Sequence, residues 1–227
     1  MTNPPRSNSL RAIVFDLDGL MFNTEDLYQE VGRIVLDRRG KQLTGDLVNE
    51  MMGRKSHVAL QLMIDYYALS DTADALATES MEIMFELLPQ QLSPLPGLMS
   101  LLRSLESAGI PKAIATGSNR VFAIHVLQLF ELQLRFDFIL TSEDTSRGKP
   151  APDVYLLAAE KHDLPPAEIL VLEDSQVGCQ AAVAAGTFAI AVPGGQSTEH
   201  DFTGVQLIAD SLEDPRIYAL LDLPLNE

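Results

Sequence analysis

The chain alternates between short, wholly apolar runs and longer amphipathic stretches. The runs are Ala12-Ile13-Val14-Phe15, Ala113-Ile114-Ala115, Phe138-Ile139-Leu140, Ile169-Leu170-Val171-Leu172 and Phe188-Ala189-Ile190-Ala191-Val192. Continuous runs of this length suit strands buried on both faces of a parallel sheet. Helical periodicity lies between them. Leu98, Leu101, Leu102 and Leu105 follow i, i+3, i+4, i+7 spacing, and Gly109 offers a stop. Ser118 is placed to cap a helix carrying Val121, Ile124, Leu127 and Leu129. Pro152 suits a helix start before Tyr155, Leu156 and Ala159. Ser175 is placed to cap a helix through Ala185, with Gly186 as its stop. Strand-helix alternation predicts the α/β class and a doubly wound parallel sheet.

The stretch from 23 to 94 breaks the alternation. Residues 24–39, 56–68 and 71–88 read as helices, with no strand run among them, and the methionines at 51, 52, 63, 81 and 84 concentrate there as core packing. Residues 89–97 hold three prolines and read as a linker. An all-helical domain, 23–94, is therefore expected to interrupt an α/β core made of 1–22 and 95–227. The tail from 211 onward reads as a surface helix and end.

Composition narrows the function classes. Thirty-two acidic residues against 16 basic ones give a net charge of −16, which repels nucleic-acid backbones and anionic lipid at long range. Hydrophobic residues at 46% and charged residues at 21% are ordinary for a globular protein, so disorder is not expected. Cys179 is the sole cysteine, so no internal disulfide forms, and it is expected to be buried. Residues 1–9 are polar and the apolar run after them is too short for a signal core or a membrane span, so a cytoplasmic protein is expected. No nucleic-acid, membrane or obligate protein partner is expected.

The candidate chemistry sits where the apolar runs end. Asp16-Leu17-Asp18-Gly19 follows the first run, and ligands of such sheets bind at the carboxyl ends of strands. Two carboxylates one residue apart there suffice to hold a divalent cation and to divide the roles of nucleophile and acid/base. Alone, the pattern is equally an acidic turn. Thr116 ends the second run, and its hydroxyl, with the N–H groups of Gly117 and Ser118, suits a phosphate oxygen; a helix cap is the plainer reading, and fits Ser118 better. Lys149, in Gly148-Lys149-Pro150, offers an ammonium to both Asp16 and a phosphate, or is a solvated turn. Glu173-Asp174-Ser175 ends the fourth run and completes an oxygen-rich set for Mg2+, a hard cation, or is an acidic helix start. His57, His125, His162 and His200 do not cluster in the sequence and are assigned no metal.

Four such signals in this order resemble the four motifs of the haloacid dehalogenase superfamily. The insert resembles that family's helical cap, and the likeness covers nearly the whole chain. Asp18-Gly19-Leu20, Asn23-Thr24-Glu25, Met52-Gly53-Arg54-Lys55, 148–153 and Glu173-Asp174-Ser175 are similar to the branch with beta-phosphoglucomutase, phosphoglycolate-type phosphatases and the pseudouridine 5'-phosphatase and glycerol-phosphatase group. The Met-Gly-Arg-Lys stretch leans toward the last group.

The resemblance implies a Mg2+-dependent phosphatase acting on a small phosphorylated metabolite. It implies Asp16 as the nucleophile that becomes an aspartyl phosphate and Asp18 as acid then base. Lys149 and Thr116 would neutralise and orient the transferring group. Asp16, the carbonyl of Asp18 and Asp174 would hold the metal, with Glu173 close in or one step removed. Arg54 and Lys55 are cap candidates for substrate contact, or a solvated basic turn. Asn23 stands where the family commonly has aspartate. Tyr28 stands where the mutases place a histidine, which favours a phosphatase over a phosphomutase. A dehalogenase, which needs no metal and lacks the counterpart of Asp18, and a non-catalytic scaffold complete the alternatives.

Overall fold

The computed structural model describes residues 10–51 and 56–224. Two compact units emerge, one running to Phe22 and resuming at Pro94, the other Asn23–Ser93. Pro94 bridges to Phe22 and so lies with the first unit rather than with the insert.

The first unit is built on a six-stranded, wholly parallel sheet in the order β3-β2-β1-β4-β5-β6. Its strands are β1 (Ala12–Phe15), β2 (Lys112–Ala115), β3 (Ile139–Leu140), β4 (Ile169–Glu173), β5 (Phe188–Ala191) and β6 (Leu207–Ile208). The five apolar runs supply the first five. β6 has a single two-residue pairing at the sheet edge, too short to leave a sequence pattern. The chain leaves β1 for β2 and β3 on one side, then crosses to β4, β5 and β6 on the other. That makes β1 and β4 the switch point, the place beyond whose strand ends open α/β sheets bind their ligands.

One sheet face is lined by small residues. Ala12 and Val14 of β1, Ala113 and Ala115 of β2, Val171 of β4 and Ala189 of β5 pack with Tyr155, Ala158 and Ala159 of one helix and Ala181, Ala182 and Ala185 of another. Alanine on both surfaces lets two helices approach the sheet closely. These are α7 (Asp153–Lys161) and α8 (Gln176–Ala185). α5 (Leu98–Ala108) ends at Gly109 with φ 65°, and α8 ends at Gly186 with φ 77°, the left-handed cap that glycine adopts freely.

Three expectations are corrected here. α6 (Arg120–Leu129) is capped by Asn119, whose Oδ1 accepts the Phe122 N–H at 2.9 Å, not by Ser118. Asn and Ser cap about equally well, and the Ser118 hydroxyl is engaged elsewhere. The 89–97 linker begins later than its prolines suggest, because α4 (Ala73–Gln91) runs on through Pro89. The proline gives up its own N–H and crowds the carbonyl four residues back, but only Gln90 and Gln91 follow it in the helix, and Leu92 N–H still donates to the Leu88 carbonyl at 3.1 Å. The tail is more than a surface helix and end: α9 (Pro215–Leu220) exposes Pro215, Arg216 and Ala219 but buries Ile217 and Tyr218, with Leu212, Leu221 and Leu223 buried beside it in the chain.

The second unit is all-helical: α1 (Thr24–Asp37), α2 (Gly45–Met51), α3 (Ser56–Tyr67) and α4 (Ala73–Gln91). The short α2 was not legible as a helix in the sequence. Val31, Val35, Met63, Ile64, Leu76, Ile83 and Met84 are buried. Arg39 ties the end of α1 to Asp71 and Glu79, at 2.7 and 2.6 Å. Asn23 joins the two chain crossings. Its Oδ1 accepts from Ser93 N–H at 2.7 Å and its Nδ2 donates to the Gln91 carbonyl at 3.2 Å. Among the described residues, no helix is long and apolar enough to cross a membrane.

Candidate active site

Strand register lines up the candidate residues. Phe15 pairs with Ile114 on one side and Leu172 on the other. The next residues, Asp16, Ala115 and Glu173, therefore leave three adjacent strands at one level. Asp16 N–H donates to the Leu172 carbonyl at 3.0 Å, so the carboxylate is fixed by the last rung of the ladder. Gly19, at φ 74°, then turns the chain back, and its N–H donates to the Phe22 carbonyl.

Lys149 is the hub. Its loop runs out from the carboxyl end of β3 and leads into α7 through a cis Lys149–Pro150 peptide. The ammonium spends all three of its protons: on Asp16 Oδ1 at 2.5 Å, Glu173 Oε1 at 2.6 Å and the Ala115 carbonyl at 3.0 Å. All three side chains are nearly inaccessible.

Glu173 is held from every side. Oε1 also accepts the Tyr155 hydroxyl at 2.8 Å, and Oε2 accepts the Ser175 N–H and hydroxyl at 3.2 and 3.0 Å. A Cβ on Gly178 would lie 1.8 Å from that carboxylate, so only glycine leaves it room. Asp18 faces the end of β2, where its Oδ2 accepts the Thr116 hydroxyl at 3.0 Å and the Ser118 hydroxyl at 2.7 Å. Thr116 Oγ1 in turn accepts the Ser118 N–H at 2.9 Å. Nothing lies within 4 Å of the Cβ position of Gly117, which leaves open space at that turn.

Charge is out of balance. Burial, with help from the nearby Glu173 and Asp18 carboxylates, pushes Asp16 well above the usual carboxylate range, against the pull of Lys149. Burial opposes the Lys149 ammonium too, but the Asp16 and Glu173 carboxylates outweigh it and hold Lys149 well above its ordinary value. Asp16, Glu173 and Asp174 each bring a carboxylate oxygen within 4.8 Å of the others, all buried. Three buried carboxylates, all hard oxygen donors, fit a divalent cation of the Mg2+ kind.

The structure thus brings Asp16, Lys149 and Glu173 into one hydrogen-bonded set and Asp18, Thr116 and Ser118 into another at the neighbouring strand end, with Asp174 adjoining the first. Arg54 and Lys55 lie outside the described residues. Sequence reasoning missed Tyr155, Ser175 as a Glu173 donor, Gly178 and the Ala115 carbonyl. Tyr155 looks like a core position of α7, and a core it is, apart from its hydroxyl. Gly178 had a usable signal, because glycine inside a helix costs about 1 kcal/mol relative to alanine and needs a packing reason.

The geometry defines a cluster of strand-end carboxylates on a lysine, at the switch point of an α/β fold, and the comparisons name the family. Residues 13–192 match the family model described as haloacid dehalogenase-like hydrolase, and the chain belongs to that family. It is 33% identical to the bifunctional riboflavin kinase/FMN phosphatase of Arabidopsis thaliana, over 93% of this chain and 57% of that protein. It is 36% identical to (DL)-glycerol-3-phosphatase 1, mitochondrial, of the same plant, over 82% of this chain and 64% of that protein. The chain thus spans less than two thirds of either relative. Among solved structures, CbbY from Rhodobacter sphaeroides in complex with phosphate is 25% identical, with a TM-score of 0.77 over 89% of this chain and 95% of that one.

Proposed function

We propose that the protein is a Mg2+-dependent phosphatase that hydrolyses a small phosphorylated metabolite through an aspartyl phosphate on Asp16. The observation that carries this reading is the Lys149 bridge between Asp16 and Glu173 at the switch point of the sheet. It holds one strand-end carboxylate in place, with an ammonium beside it to meet an incoming phosphate. The relatives, named as phosphatases of FMN and of glycerol 3-phosphate, support the reaction class.

An Asp16 oxygen attacks phosphorus and the ester P–O bond breaks. Asp18, as the carboxylic acid, gives its proton to the departing oxygen. Water then attacks the phosphoaspartate, Asp18 takes the water proton, and the bond from phosphorus to Asp16 breaks, releasing phosphate. Such a positioned acid/base contributes roughly 10²–10⁴-fold. Thr116, Ser118 and the Gly117 N–H orient the phosphoryl oxygens, while Lys149 offsets their charge. Asp16, the Asp18 carbonyl and Asp174 would hold the Mg2+, which when bound would supply positive charge for the transferring group. Substrate selection falls to the helical insert, with Arg54 and Lys55 as its candidate residues. A sugar, polyol or nucleoside monophosphate fits this reading, and the net charge of −16 disfavours polyanionic substrates.

The test is a phosphate-release screen over phosphorylated metabolites with Mg2+, run beside Asp16→Asn. Turnover by the wild type and none by the variant is expected. Activity unchanged in Asp16→Asn overturns the nucleophile. Glucose 6-phosphate formed from beta-glucose 1-phosphate without free phosphate, given a trace of the bisphosphate, turns the reading to a phosphomutase.

A further inference from the structure

We propose that Tyr155 is a positioning residue for Lys149, acting through Glu173. The inference rests on the phosphatase reading only in what Lys149 is positioned for. The geometry itself is local to the core. The Tyr155 hydroxyl donates to Glu173 Oε1 at 2.8 Å, the same oxygen that takes the Lys149 proton at 2.6 Å. The Tyr155 ring lies beneath the ammonium, 5.1 Å from its centroid. Tyr155 is fully buried, on the face of α7 that packs against the sheet. A tyrosine buried there pays nothing for its hydroxyl only if that hydroxyl has a partner, and Glu173 is that partner.

The arrangement fixes a direction. A glutamate has three side-chain torsions and would be free to swing its charge toward a cation beside Asp174. Ser175 pins one oxygen and Tyr155 the other, while Gly178 leaves the space in which the carboxylate lies. With its oxygens taken by Lys149, Tyr155 and Ser175, Glu173 serves the ammonium. Lys149 is six residues before Tyr155, so the 149–152 loop is held at one end by the site and at the other by α7.

Tyr155→Phe keeps the ring, its packing and the surface under the ammonium, and removes one hydrogen bond to a charged group. We expect kcat to fall about tenfold to a hundredfold, with KM changed by less than about threefold. In a double-mutant cycle with Glu173→Gln, Tyr155→Phe should lower kcat by less than about twofold, because its effect passes through the missing charge. In the metal-free protein, the Lys149 Nζ nitrogen resonance, identified by its loss in Lys149→Met, should shift and exchange faster with solvent in Tyr155→Phe. Val154→Ala, a core truncation on the same helix, should lower the melting temperature and leave that resonance in place. Three results overturn the proposal: kcat within about twofold of wild type in Tyr155→Phe, an unmoved resonance, or losses that multiply in the double variant. If no phosphate ester is turned over by the wild type, the phosphatase reading fails, and the resonance still decides the role of Tyr155.

Discussion

Lys149→Met keeps the length and the apolar stem of the side chain and removes the ammonium. Three hydrogen bonds go with it, to Asp16, Glu173 and the Ala115 carbonyl. Two carboxylates whose side chains are 8% and 1% exposed are then left side by side with no ammonium. Removing one partner of a buried ion pair costs roughly 3–5 kcal/mol, a large share of the roughly 5–15 kcal/mol that holds a domain together. The sign with pH follows. Asp16 is already raised by burial, and loss of Lys149 raises it further, so the folded value lies above the unfolded one. The penalty is then absent below about pH 4, where the carboxyl is protonated in both states, and it grows as pH rises. Urea denaturation in EDTA should show the variant near wild type at about pH 4 and several kcal/mol weaker at about pH 7. Adding Glu173→Gln removes one of the two charges and should regain about 1–3 kcal/mol at neutral pH. A Lys149→Met protein within about 1 kcal/mol of wild type at neutral pH, or a further loss on adding Glu173→Gln, would refute the account of Lys149 as the counter-charge.

Three other outcomes are expected. Gly178→Ala places a methyl 1.8 Å from the Glu173 carboxylate, whereas Gly117→Ala meets nothing within 4 Å; the first should cost more than about 3 kcal/mol in a urea melt and the second less than about 1. Mg2+ at a hundredfold over its dissociation constant should stabilise the wild type by about 2.7 kcal/mol, and Asp174→Asn should lose most of that gain; an equal gain in the variant removes Asp174 from the metal site. Asp214 is lowered to about 2, chiefly by its hydrogen bonds from Arg216. A depressed carboxylate contributes above its unfolded value and loses that contribution as pH falls from about 4 to 2, so Asp214→Asn should cost about 1–2 kcal/mol at neutral pH and little at about pH 2, as read by thermal melts.

The fold was largely legible because its signals are local. Five apolar runs gave five strands, and glycines at 109 and 186 marked helix ends where a left-handed residue is needed. What was lost was either too short to carry a period, as with β6 and α2, or depended on packing against distant chain. The tail is the clearest case. Ile217 and Tyr218 are buried although one turn and a half of helix carries no readable amphipathic face. Pro89 misled because a proline marks a probable and not a certain boundary, and α4 ends only two residues after it.

The site divides the same way. Sequence alone determined the chemical inventory: which strand ends carry Asp16, Asp18, Thr116, Lys149, Glu173 and Asp174, and that an acidic chain needs a cation to approach a phosphate. Those facts follow from residue type and from where an apolar run stops. Only the tertiary structure decided who bonds to whom. Thr116 and Ser118 turn to Asp18, Lys149 divides its protons among three acceptors, and Tyr155 closes on Glu173 from a helix that reads as plain core. Such assignments depend on strand register and on an approach distance that a glycine permits. The register pairs residues as distant in the chain as Phe15 and Leu172, the glycine acts on a side chain from the preceding strand, and no apolar period encodes either.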